Sequence, residues 1–375
     1  MKPSSRVKDI STSLIRRMFE VVEKAKKEGK EIINLSIGEP DFNTPSEVIE
    51  RAYEYMKAGY THYTSNFGIE ELRELIAERY SVSAKNVMIT TGCSEALLNA
   101  SLAFIEEGSN VIIPSPNFLS YFTYAKICKA NIVQIKTHED FFELNPDKLN
   151  EVMSRNSVIF INYPNNPTGV VADGKNLREI VEIARDYDSI VISDEIYDRI
   201  HFDRKPTSLA GEENVVVVNG FSKSLAMTGW RIGFVIAEED LINEILKVHQ
   251  VNGVCAPAFA QKAVADLFPE IDRFLDVMVK EFRRRRDFVY SRLKRFFNVV
   301  KPEGAFYIFP DVGVDCEKFC EELLVEKGVC LTPGKPFGDW NDRHVRISFA
   351  NSMENIKKAM ERIEEYVEES GEERG

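Results

Sequence analysis

Val158-Ile159-Phe160-Ile161-Asn162-Tyr163-Pro164-Asn165-Asn166-Pro167-Thr168-Gly169, a helical pattern over residues 176–187, and then Ile190-Val191-Ile192-Ser193-Asp194-Glu195-Ile196-Tyr197 decide the fold. Two short β-rich runs stand on either side of a segment long enough to be a helix. Such spacing belongs to a mostly parallel sheet with helices on both faces. The alternation continues outward. Upstream, strands are expected at 87–91, 111–113 and 132–135, with helices at 94–104, 118–129 and near 146–153. Downstream, 215–218 reads as a further strand. Helices dominate from Ile242, including a long one over about 270–296, and strands mix with two more helices after Val299.

At the other end, residues 11–29 read as an amphipathic helix closed by Gly29, and 32–37 as an extended run. Helices are expected over 45–58 and 69–80. The whole is an α/β protein. Its parts are expected to be an N-terminal segment 1–44 belonging to a small domain, a large domain 45–273, and the rest of the small domain over 274–375.

Composition excludes several function classes. A net charge of −12 does not suit a protein held to nucleic acid by its overall charge. The one basic run, Arg283 to Arg286, sits inside a helical pattern and is expected to be a solvated helix face. Neither a signal peptide nor a stretch long enough to span a membrane is visible, so the expectation is a cytoplasmic protein. The six cysteines, at 93, 128, 255, 316, 320 and 330, form no CxxC pair and are read as free thiols, and no metal site is expected.

In an open α/β sheet, ligands sit outside the carboxyl ends of the strands. The informative residues follow those ends. Gly92-Cys93-Ser94-Glu95-Ala96 is a small-residue turn opening a helix, either an anion site or a plain cap. Pro114-Ser115-Pro116-Asn117-Phe118 puts an aromatic ring where it can stack on a flat ligand or join the core. The dense turn from Asn162 to Gly169 fixes Asn166, whose amide can donate to a phenolate or a carboxylate. Asp194 ends an apolar strand, where its charge is costly unless it meets a cation; capping a turn is its other reading.

Asn219-Gly220-Phe221-Ser222-Lys223-Ser224 and the following Arg231 suit a cofactor that carries both an aldehyde and a phosphate, with Lys223 forming the imine and Arg231 holding the phosphate. His344-Val345-Arg346-Ile347-Ser348-Phe349 alternates, so Arg346 stands on one face of a strand, placed to grip a carboxylate or to make a surface ion pair. Gly38-Glu39-Pro40-Asp41-Phe42 leaves backbone N–H groups free or is an ordinary turn. Gly169 to Asn176 imitates a nucleotide-binding loop, but Asn176 lacks the hydroxyl that would hold magnesium.

Together these stretches, with Tyr63, residues 302–307, Pro333-Gly334 and Arg346, resemble the class I pyridoxal-phosphate aminotransferases of fold type I, in the aspartate and aromatic subgroup. The resemblance covers nearly the whole chain and implies a seven-stranded, mostly parallel sheet. It implies that Lys223 carries pyridoxal 5'-phosphate as an imine and that Asp194 keeps the ring nitrogen protonated. Asn166 and Tyr197 would bond the ring oxygen, and Phe118 would stack on the ring. The phosphate would be held by the backbone around Cys93, by Ser94, Ser222 and Arg231, and by Tyr63 from the other subunit of a homodimer. Arg346, Asn166 and the Gly38 backbone would bind the substrate carboxylate.

Two departures from the family's pattern bear on the phosphate. Gly220 stands where many members carry a serine, and Cys93 where a glycine is common. The implied activity is transfer of an amino group between an L-amino acid and a 2-oxo acid, most often 2-oxoglutarate in this family. Aspartate is the first choice of donor, with aromatic amino acids or alanine close behind, because residues 251–257 carry no basic side chain. A carbon–sulfur β-lyase on the same fold is the alternative. A regulator of this fold would carry a DNA-binding segment ahead of the domain, and little chain precedes Gly38.

Overall fold

A computed structural model describes residues 4–8, 10 and 31–373. The helix expected over 11–29 lies outside the described residues. Seven strands form the central sheet, in the spatial order Val87–Thr90, Gly233–Ile236, Val215–Gly220, Ile190–Asp194, Val158–Asn162, Asn110–Ser115 and Asn131–Lys136. All neighbours are parallel except Gly233–Ile236, which runs antiparallel to both of its partners.

Gly233–Ile236 is the strand that the sequence reading did not separate. Only a four-residue helix, Phe221–Ser224, and the turn that carries Arg231 separate it from the preceding strand. The period-two geometry of the strands sorts their side chains into two cores. Ile159, Ile161, Val191, Val215 and Val217 face one core, and Val158, Phe160, Ile192, Val216 and Val218 face the other.

Each core is closed by helices whose apolar residues recur at helical spacing. Leu177, Ile180, Val181 and Ala184 of Gly174–Asp186 cover the first face. Cys93–Phe104, Leu119–Ile127 and Glu239–Asn252 cover the second. Asp173 caps Gly174–Asp186 by accepting from the Lys175 N–H at 2.7 Å, so the stretch that imitates a nucleotide loop is used as an ordinary helix start.

The two ends of the described chain meet. Ile33–Asn34 pairs in parallel with Val329–Cys330, beside an antiparallel sheet of Thr332–Pro333, Val345–Ser348 and Tyr307–Ile308. The long helix Ile271–Leu293 corrects one expectation. Arg283 and Arg284 are exposed, but Arg285 and Arg286 are buried. Helical spacing puts those two on the face of Phe282 and Val289, and acids from distant segments meet them there. Arg285 Nη1 lies 2.7 Å from Asp41 Oδ1, and Arg286 Nη1 donates to Asp203 Oδ2 and to the Pro302 carbonyl, each at 2.6 Å. Their guanidinium planes cover Phe42 and Phe202.

Candidate active site

At the carboxyl ends of the strands lies a cavity of about 340 Å³. It gathers Gly38, Cys93, Ser94, Phe118, Asn166, Asp194, Tyr197, Ser222, Lys223, Arg231 and Arg346 from segments far apart in the chain. Every site residue named from the sequence except Tyr63 lines it. Tyr63 is 83% exposed and lies beside Tyr60 and His62 on a separate depression.

Lys223 stands on the short turn of helix Phe221–Ser224 that follows strand Val215–Gly220. Its Nζ donates to the Gly38 carbonyl at 2.7 Å. Burial lowers the pKa of its amine to about 8. Asp194 is buried at the end of its strand. Its Oδ2 accepts from the Tyr121 hydroxyl at 2.7 Å, and its Oδ1 from the Ile196 N–H at 3.2 Å. Burial raises this carboxyl to about 6, although the Tyr121 and Ile196 bonds and the charge of Lys223 pull the other way.

This shift has a consequence for stability. Between the ordinary value of 3.8 and about 6, the folded protein keeps a proton that the unfolded chain has lost. Asp194 therefore lowers stability as pH rises through that window, and the loss is complete above about pH 6. In cofactor-free protein, Asp194→Asn is expected to unfold with a smaller decline in stability from pH 4 to 7 than the parent, read as denaturant unfolding free energy at each pH. Glu195, raised by burial to about 7, remains in both proteins and cancels in the difference.

Arg231 takes a left-handed backbone at φ 58° and is exposed to the cavity. Its guanidinium donates to the Thr228 carbonyl at 2.8 Å and the Thr91 carbonyl at 3.4 Å, and it joins no ion pair among the described residues. Gly92, at φ +83°, packs flush on it: a Cβ there would stand 2.5 Å from Arg231 Nη2. Beside it, helix Cys93–Phe104 begins at the cavity wall, with Cys93 and Ser94 lining it, and the first N–H groups of a helix have no partner within the helix.

The two departures lie side by side in the fold. A Cβ on Gly220 would come within 2.9 Å of Gly233 Cα and 3.2 Å of Cys93 Sγ. The backbone of Ile232 and Gly233 leaves no room for a side chain at 220, and the Cys93 thiol lies beside it. Burial, and then the charge of Asp194, raise the Cys93 pKa well above its ordinary value, so it stays a neutral thiol.

Arg346 is not a surface ion pair. It is buried, donating to Asn166 Oδ1 at 3.0 Å, the Ser36 carbonyl at 2.6 Å and Thr332 Oγ1 at 3.4 Å. Its guanidinium covers the Tyr307 ring at 4.6 Å, its Nε has no partner, and no carboxylate pairs with it among the described residues. Tyr307 in turn shares a 2.9 Å hydrogen bond with the Tyr197 hydroxyl. A Cβ on Gly38 would meet the Tyr307 hydroxyl at 2.6 Å, so the glycine lets that backbone close on the cavity wall.

The sequence reading missed Tyr121 and assigned no role to Tyr307, Asn162 or Thr228. Tyr307 stood in one of the resembling stretches, and Asn162 ends a strand, so both had a signal. Tyr121 had none: its ring stacks on Phe160 at 4.8 Å and reaches Asp194 only through the fold.

Comparison with known proteins agrees with this geometry. Residues 30–363 match the family described as aminotransferase class I and II. The chain is 39% identical to an aspartate aminotransferase of Pyrococcus abyssi, over 98% of this chain and 99% of that one. It is 37% identical to aromatic-amino-acid aminotransferase 2 of Thermococcus litoralis, over 98% and 99% of the two chains. The crystal structure of aspartate aminotransferase from Thermotoga maritima superposes with a TM-score of 0.92 at 36% identity, over 98% of this chain and 100% of that one. Matching in sequence and in fold along nearly its whole length, the chain belongs to the class I and II aminotransferases and is a pyridoxal-phosphate-dependent transaminase.

Proposed function

We propose that this transaminase moves the amino group of L-aspartate to 2-oxoglutarate. The observation that carries the reading of the site is Arg346, a buried cation that has no anion beside it among the described residues. A charge in that position is costly until a partner arrives, and a substrate α-carboxylate is such a partner, matched to the guanidinium fork.

The residues present also fit pyridoxal phosphate. Lys223 offers an amine for its aldehyde, and Asp194 a buried carboxyl for its ring nitrogen. Ser94, Ser222, Arg231 and the first N–H groups of Cys93–Phe104 offer an anion site for its phosphate. When bound, the cofactor supplies an electron sink for negative charge at the substrate α-carbon.

The chain's own residues do the rest. Lys223, with an amine brought down to about 8, takes and returns the α-proton near neutral pH. Arg346 and Asn166 fix the carboxylate, which sets the direction in which the α-proton faces Lys223. Phe118 covers one wall of the cavity. Burial raises the Tyr197 hydroxyl well above its ordinary value, so it stays protonated and can donate a hydrogen bond.

The reading includes a homodimer in which Tyr63 reaches the partner's phosphate site. Its support is that Tyr63 is exposed, lies outside its own cavity, and shares a separate depression with the exposed Tyr60. Aspartate is supported by the name of the Pyrococcus abyssi relative. A second reading, an aromatic donor, is favoured by the wall itself. Ile37, Phe118 and Tyr307 line it, and among the described residues its cations are only Lys223, Arg231 and Arg346.

The test is a half-reaction. Cofactor-loaded protein is mixed with one amino acid at a time, without acceptor, while the cofactor's visible absorption is followed. Aspartate is expected to convert it fastest, with one equivalent of 2-oxo acid released. A faster reaction with tyrosine or phenylalanine would select the second reading. Continuous release of 2-oxo acid and ammonia from a cysteine S-conjugate would replace both with a β-lyase.

A further inference from the structure

Behind the turn 91–94 lies a buried polar cluster that the reaction does not use. Glu95, whose side chain is 9% exposed, sits in the first turn of Cys93–Phe104. Its Oε2 accepts from the Thr91 N–H at 2.8 Å and the Thr91 hydroxyl at 3.0 Å. Its Oε1 lies 2.8 Å from Nδ1 of the fully buried His249, on helix Glu239–Asn252, and also accepts from the Asn99 amide. The Asn252 amide holds Asn99 Oδ1 at 2.9 Å. The chain then closes over the cluster, for a Cβ on Gly253 would meet Glu95 Cδ at 3.1 Å and Thr91 Oγ1 at 3.2 Å.

Thr91 is thus gripped from both sides: Glu95 takes its N–H and hydroxyl, and its carbonyl accepts from Arg231 Nη2. Burial by itself would raise the Glu95 pKa, but the hydrogen bond and charge of His249, with the bonds from Thr91, outweigh it and leave the carboxyl below its ordinary value. His249 is in contact with that acid and away from the cavity.

We infer that Glu95 is a positioning residue for the phosphate of the cofactor, presetting the Thr91–Gly92 backbone against Arg231, and that His249 orients Glu95. The inference rests on the assignment of the phosphate to residues 92–94 and Arg231.

The test compares two probes on the full-length, cofactor-free protein: pyridoxal phosphate, and pyridoxal, which lacks the phosphate. Dissociation constants are measured by titration for the parent, Glu95→Gln, His249→Gln and Arg231→Leu. Glu95→Gln is expected to weaken pyridoxal phosphate about tenfold or more while changing pyridoxal by less than about twofold. His249→Gln is expected to shift the ratio in the same direction by less. An equal loss for both probes, or no loss for either, would overturn the inference. Arg231→Leu separates the two levels. If it lowers the ratio and Glu95→Gln does not, the positioning role alone falls; if it leaves the ratio unchanged, the phosphate assignment falls too. Should Glu95→Gln fail to fold, His249→Gln and Thr91→Val decide the matter by the same ratio.

Discussion

Lys223→Ala is expected to slow amino-group transfer by about 10⁴-fold, the upper end of what loss of a positioned proton-transfer group costs. The fold around it should survive, because the lysine's amine makes a single hydrogen bond, to the Gly38 carbonyl. The proposed phosphate contacts are on other side chains, so the variant should still bind pyridoxal phosphate, while losing the visible absorption that depends on the lysine. Single-turnover rates with a saturating amino acid check this. A small primary amine added to the buffer should recover part of the rate by substituting for the missing base. A variant that turned over at the parent's rate would remove Lys223 from the chemistry and with it the proposed mechanism.

Arg346→Met carries the second large effect, and its two readouts should move apart. KM for the amino acid is expected to rise about 10²- to 10³-fold, since truncating one partner of a buried charge pair costs about 2–5 kcal/mol. The stability of the ligand-free protein should stay within about 1 kcal/mol of the parent, because a buried ion without a counter-ion is replaced by an apolar chain of similar length. The bonds to Asn166, Ser36 and Thr332 are lost, and the removed desolvation cost offsets them. Steady-state kinetics and denaturant unfolding measure the two quantities. A drop of several kcal/mol in stability with KM unchanged would make Arg346 a structural residue instead.

Much of this site was legible before any fold was built, because strand periodicity and turn chemistry are local. The runs at 158–162 and 190–194 announce a parallel sheet by their length and spacing. Since ligands collect at the carboxyl ends of such strands, Gly92 to Ser94, Phe118, Asn166 and Asp194 became candidates by position alone. Other features stayed silent for the opposite reason. Arg285 and Arg286 look like a solvated run until Asp41 and Asp203 arrive from elsewhere in the chain. Gly233–Ile236 is separated from its neighbour strand by only a four-residue helix and a turn, so the alternation of strands with long helices does not announce it, yet it fills the place between two strands of the sheet.

By itself, then, the sequence determined the layered α/β architecture and the residue types at the strand ends, since both follow from backbone geometry over a few neighbouring residues. Only the tertiary structure decided that Tyr121 meets Asp194, that Glu95 meets His249, that Cys93 occupies the room beside Gly220, and that Arg346 is buried without a counter-ion among the described residues. Each of these depends on groups from remote segments brought within contact distance. Burial and charge pairing are properties of that assembled neighbourhood, and no stretch of the chain carries them alone.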